Sequence, residues 1–121
     1  MRTITLRRQR FDRMTDARAA FGKTACVYVQ ADARGRPVRV GKASLGLHAR
    51  YRGGTGWALD AASHASRNFV FVAAVPRALV AAVEAALIFK HRAALPYNNQ
   101  GKRRAPSGRV RLRHLGAAPL W

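Results

Sequence analysis

Glu84 is the only glutamate in this chain of 121 residues, and it falls in the most apolar stretch, residues 79–89. A carboxylate on an apolar helix face must be paired, protonated or bound to a metal, because bare burial costs several kcal/mol. A divalent cation with oxygen ligands is one solution; a salt bridge to one of many arginines is the plainer one. The four histidines, His48, His64, His91 and His114, lack a compact zinc-ligand spacing, and the single cysteine, Cys26, adds nothing to them. Gly53-Gly54-Thr55-Gly56 lacks the Lys-Ser/Thr ending and preceding strand of a phosphate loop. Trp57 and Trp121 are of the type that stacks on bases, but single tryptophans more often serve packing.

The charge is the strongest compositional fact. Lys plus Arg number 23 against 5 acidic residues, a net charge of +18. Such a field attracts polyanions whatever the fold. Nucleic acid is the expected partner, since each neutralised phosphate releases counterions and strengthens binding. A generic arginine-rich surface is the bland alternative. The lone Cys26 cannot pair within the chain and sits in an apolar run, which points to a reducing compartment. No apolar run reaches the roughly 18 residues of a spanning helix, and residues 1–8 lack the apolar core of a secretory signal. A cytoplasmic location without membrane attachment is the expectation.

The elements that must position these groups follow from local pattern. Thr15-Asp16 before Ala17-Arg18-Ala19-Ala20 predicts a short capped helix ending near Gly22. Residues 24–30 are β-rich and nearly continuously apolar, as a buried strand requires. Residues 31–37 carry turn chemistry, and residues 38–41 complete a hairpin. Ser44 is placed to cap a helix through about Tyr51, stopped by Gly53-Gly54. Residues 68–75 predict a third strand, and Pro76 opens a helix over about residues 77–94. Val80, Val83, Glu84, Leu87, Ile88 and His91 share one face of it at helical spacing. In the basic tail, Arg109, Arg111 and Arg113 alternate with Val110 and Leu112, the pattern of an edge strand or a flexible arm. The expected fold is therefore α+β, a small three-stranded, mostly antiparallel sheet flanked by helices.

Over roughly residues 24–100 the chain resembles the GIY-YIG endonuclease superfamily. Cys26-Val27-Tyr28 stands where that family has its first strand with a tyrosine, and Arg39-Val40-Gly41 where it has the second. Lys42 follows the glycine, Arg50 falls on the next helix, Glu84 on a later helix, and Pro96-Tyr97-Asn98 near that helix's end. The resemblance implies a metal-dependent hydrolysis of phosphodiester bonds in DNA. Glu84 would hold Mg²⁺ or Mn²⁺, and Tyr28 would orient or activate water. Arg50 and Lys42 would bind the phosphate, Arg39 would add a further contact, and Asn98 would support the metal side. It divides the chain into a basic N-terminal segment with a short helix (1–23), a nuclease domain (24–100) and a basic tail (101–121).

Two departures bear on catalysis. Arg39 replaces the second signature tyrosine, and arginine stays protonated and cannot act as a base. Gly54 stands where the family often has histidine or tyrosine one helical turn after its arginine. Rival readings are a catalytically silent DNA- or RNA-binding module of the same fold and a basic protein bound to ribosomal RNA. DNA is the expected partner ahead of RNA.

Overall fold

The computed structural model describes residues 2–12, 14–32, 34–50, 69–92 and 110–116. In chain order these form β1 (Arg2–Phe11), α1 (Met14–Ala20), β2 (Cys26–Ala31), β3 (Pro37–Ala43), α2 (Leu47–Arg50), β4 (Phe69–Ala74), a 3₁₀ turn (Arg77–Leu79), α3 (Val80–Lys90) and β5 (Val110–Gly116). The five strands make one mixed sheet in the order β3-β2-β4-β1-β5.

That sheet overturns the expected three-stranded sheet flanked by helices. The hairpin and the third expected strand are neighbours, β2 pairing antiparallel with β3 on one side and with β4 on the other. Two outer strands then extend the sheet, and one pairing is parallel. Residues 9–11 of β1 pair antiparallel with β4, while residues 2–8 pair parallel with β5. The helices are short: α1 has 7 residues and α3 has 11. Of the outer strands, β5 falls where the alternating tail allowed an edge strand, while β1 was not expected because its arginines interrupt any apolar run. In both, apolar residues occur at every second position instead, with Ile4 and Leu6 pointing inward from β1 and Val110 and Leu112 from β5.

β2 is buried at all six positions, as a central strand covered on both faces must be. On one face Val27, Val29, Val40, Phe71 and Ala73 pack with Ile4 and Leu6 against Val80, Val83, Leu87 and Ile88 of α3. On the other face Cys26, Tyr28, Ala43, Val70 and Val72 pack against Ala17 and Phe21 of the α1 region and Leu47 of α2. Phe11 meets Phe21 edge to face at 6.0 Å, which closes α1 over the end of β1. Burial pushes the Cys26 thiol up to about 12, so it stays protonated and inert.

Three local details differ from the sequence expectation. The helix expected from Ser44 begins at Leu47, after a turn at Gly46 with φ of +97°. Its first N–H groups donate to chain carbonyls, Leu47 to Phe21 at 2.9 Å and His48 to Gly22 at 3.0 Å. A tertiary contact thus does the capping expected of the serine. The helix expected from residue 77 begins with a 3₁₀ turn after Pro76 and becomes α-helical at Val80. It ends at Lys90 with His91 as its C-cap, and residues 93–94 lie outside the described part.

The hairpin loop is built by Asp32. Its Oδ1 accepts from the N–H groups of Arg34 and Arg36 at 2.9 Å each, and its Oδ2 accepts from Arg36 Nε at 2.9 Å. No helix among the described residues is long and apolar enough to cross a membrane.

Candidate nucleic-acid interface

Tyr28 occupies the middle of β2, directly opposite Gly41 on β3 and Val72 on β4. Its ring lies across the glycine: a Cβ at position 41 would overlap Cζ and Oη of Tyr28. Glycine is required at 41 because the tyrosine ring fills the space above its backbone. Tyr28 is 0% exposed, and its side chain is engaged rather than free.

Strand alternation assigns the remaining candidates to faces. Arg39 shares the Tyr28 face, opposite buried Gln30. Lys42 is exposed and shares the other face with Val40, the face that α3 covers. Glu84 lies on α3, half-buried on the same face as Val80, Val83, Leu87 and Ile88, and it too is engaged. Arg50 ends α2, on the Tyr28 side. Asn98 lies outside the described residues, as do Trp57, His64, Gly53-Gly54 and Trp121. The candidates therefore divide about β3, an edge strand of the sheet. Tyr28 and Arg39 lie on one face, while Lys42 and α3 with Glu84 lie on the other.

Among the described residues no group of three or more His, Cys, Asp or Glu side chains is arranged to hold a metal. Glu84 offers a single carboxylate. That donor set suits Mg²⁺, which keeps several waters and commonly binds through one or two carboxylates plus substrate phosphate. It does not suit zinc, which takes four nitrogen or sulfur-rich ligands in a structural site.

At the opposite margin, the sheet presents a second basic surface that the sequence showed only in outline. Residues 110–116 form an edge strand, and Thr3, Thr5 and Arg7 of β1 stand opposite Arg111, Arg113 and Leu115 of β5. Arg7, Arg111 and Arg113 are exposed, on the face turned away from α3. α1 reaches only the far end of β1, near Phe11. Successive arginines on one strand face lie about 6.6 Å apart, so the pair can contact neighbouring anionic groups. The missed signal was the period-two pattern in Thr3-Ile4-Thr5-Leu6, which the following Arg7-Arg8 obscured.

Comparison with protein-family models, with curated proteins and with solved structures found no match.

Proposed function

We propose that this protein binds nucleic acid through its phosphates and hydrolyses phosphodiester bonds in DNA, as a divergent relative of the GIY-YIG endonucleases. The observation that carries the reading is the pairing of Tyr28 with Gly41. The tyrosine and the glycine of the two resembling motifs are cross-strand partners, and the ring needs the glycine. Two further features support it. The helix carrying Arg50 follows the hairpin, and the only glutamate of the chain stands half-buried on α3.

In this reading Lys42 and Arg50 bind the phosphate and offset charge that develops on it. Arg39 adds a third contact. The family's water-holding role needs a hydroxyl that faces the metal-binding carboxylate; here the Tyr28 ring is wholly buried on the face away from α3, so its part in this reading is to fit Gly41 and hold the two motif strands in register. Glu84 would hold Mg²⁺ or Mn²⁺, with Asn98 as a supporting residue, and the ion would supply a charge to polarise the phosphate and stabilise the leaving group. The arginine-bearing face of β1 and β5 contacts the backbone without reading sequence. A cytoplasmic site of action is part of the proposal.

One observation favours a second reading, a silent nucleic-acid-binding module. Tyr28 is wholly buried, and Arg39 replaces the family's other signature tyrosine with a group that cannot act as a base. Plasmid nicking separates the two. Nicking that needs Mg²⁺ or Mn²⁺, stops with EDTA and disappears in Glu84→Gln supports hydrolysis at this site. Salt-sensitive binding without cutting, unchanged in Glu84→Gln, supports the binding module.

A further inference from the structure

A second cluster of titratable groups lies away from Tyr28 and Glu84, where the C-terminal end of α3 meets β1 and β5. Four basic side chains converge there from three elements. Arg8 points from β1 toward the α3 face, two residues beyond Leu6. His114 lies on β5 opposite Leu6, on the same face. Lys90 is the last residue of α3, and His91 is its C-cap. The Lys90 Nζ lies 3.3 Å from His114 Nε2, and Arg8 Nε donates to the Leu115 carbonyl at 3.1 Å, which fixes the guanidinium at the same end of β5.

The protonation pattern of this cluster can be worked out from its contacts. An ammonium group only donates, so His114 Nε2 must accept from Lys90 and the ring proton sits on Nδ1. His114 is therefore neutral, and its Nδ1 is buried without a hydrogen-bond partner, as is Nε2 of His91. Burial first, then Lys90, Arg8 and His91, push the His114 imidazole down to about 4. Burial and then Lys90 lower His91, and burial and then Arg8 lower Lys90. Arg111 and Arg113 of β5 point to the opposite face and do not enter the cluster.

Asp12 pairs with Arg10, Asp32 pairs with Arg36, and Asp16 is on α1 against the other face. Glu84 precedes Lys90 by six residues, about 9 Å along the helix axis. Burial first, and then the mutual repulsion of these basic groups, suppresses protonation of both histidines. A bound oxyanion would offset the repulsive part and accept hydrogen bonds from the same groups.

We propose that Arg8, Lys90, His91 and His114 form a phosphate-binding site, distinct from the residues of the proposed hydrolytic site, which takes either a nucleic-acid backbone phosphate or a free phosphate. On binding, Lys90 turns its donor from His114 to a phosphate oxygen. His114 Nε2 takes a proton from solution and donates it in a hydrogen bond to the anion. Binding is therefore coupled to proton uptake and strengthens as pH falls through the histidine range. His48 is the internal control, because it is exposed on α2 across the sheet.

The test follows the histidine C2–H signals of the full chain by NMR through pH titrations. These are run without ligand, with inorganic phosphate and with a short DNA duplex. The expected result is a His114 midpoint raised by at least about one unit, with His48 moving much less. The affinity then gains about tenfold for each unit of that rise. A shift with inorganic phosphate supports a site for the free anion, and a shift with the duplex alone supports the backbone as its source. His114→Gln should flatten the pH dependence of binding; if that variant does not fold, the wild-type titration decides by itself. No selective shift of His114 or His91 with either probe overturns the proposal. The titration reads histidine protonation directly, so its answer is independent of whether the protein nicks DNA.

Discussion

The two ends of the sheet solve opposite problems. The β2–β3–β4 end is covered on both faces, by α3 on one and by α1 and α2 on the other. The β1–β5 end packs one face, with Ile4, Leu6, Val110 and Leu112 continuing the α3 core. Its other face carries Thr3, Thr5, Arg7, Arg111 and Arg113. The first end is held by shape, with a tyrosine ring resting on a glycine and six consecutive buried residues in β2. The second is held by alternation, with apolar residues inward and cations outward. A chain with a net charge of +18 can form one continuous core only if its cations are placed where a strand's second face meets solvent. The same placement that permits folding displays the charge to a polyanion.

Leu6→Ala should be the most damaging change, and it tests whether the two ends share one core. If β1 belongs to that core, removing this wholly buried side chain lowers the unfolding free energy by about 3 kcal/mol in urea denaturation. A loss under about 0.5 kcal/mol would make the β1–β5 margin an appendage that the rest of the sheet does not need. Next comes Gly41→Ala, where the added methyl must displace the Tyr28 ring. The expected loss is about 1–3 kcal/mol, and pairing the change with Tyr28→Ala should recover part of it, because the obstacle is then gone.

Gln30 refines the contrast within the covered end. It is buried on the Tyr28 face, and its Oε1 has no hydrogen-bond partner. Gln30→Met keeps the volume and removes the unsatisfied oxygen, so thermal unfolding should show unchanged or slightly raised stability. A large loss would reveal that the amide is needed.

For the open margin, Arg111→Ala with Arg113→Ala should leave stability within about 0.5 kcal/mol. On duplex DNA it should lower the slope of log K against log salt by about 0.9 for each phosphate that the variant no longer neutralises. An unchanged slope would remove this face from the interface.

The smallest effect concerns the hairpin loop. Burial raises the Asp32 carboxyl, but hydrogen bonds from the Arg36 backbone and side chain and from the Arg34 backbone outweigh it, and the net shift is downward. A carboxyl whose folded pKa is depressed contributes stability above its unfolded value, about 3.9. That contribution is lost as pH falls through the folded value. Acid titration of unfolding midpoints should therefore show wild type losing stability below about pH 4, with a shallower loss in Asp32→Asn. Parallel curves would remove Asp32 as a source of the acid sensitivity.

Some of this molecule was legible in the residues. Continuous apolar character marked β2, turn chemistry over residues 31–37 marked the hairpin, and Pro76 before an apolar 3.6-residue period marked α3. Those signals are local, because a central strand or a packed helix announces itself through its own composition. β1 was not read, because arginines at 7, 8 and 10 mask an alternation that makes sense only beside a partner strand. The beginning of α2 was misplaced because its donors are capped by carbonyls of Phe21 and Gly22, more than 20 residues earlier in the chain. Among the candidate residues, sequence picked out Glu84 by its isolation among apolar neighbours, and the family resemblance supplied Tyr28.

The sequence by itself determined the charge, the single cysteine, the hairpin and the main helix, since each depends on residue type or short-range spacing. Only the tertiary structure decided the number of strands and the parallel pairing of β1 with β5. It also decided the close fit of Tyr28 over Gly41 and the meeting of Arg8, Lys90, His91 and His114. Those features join residues as far apart as 8 and 114, and contacts at such separation are fixed by which faces can be buried together, a property of the whole sheet.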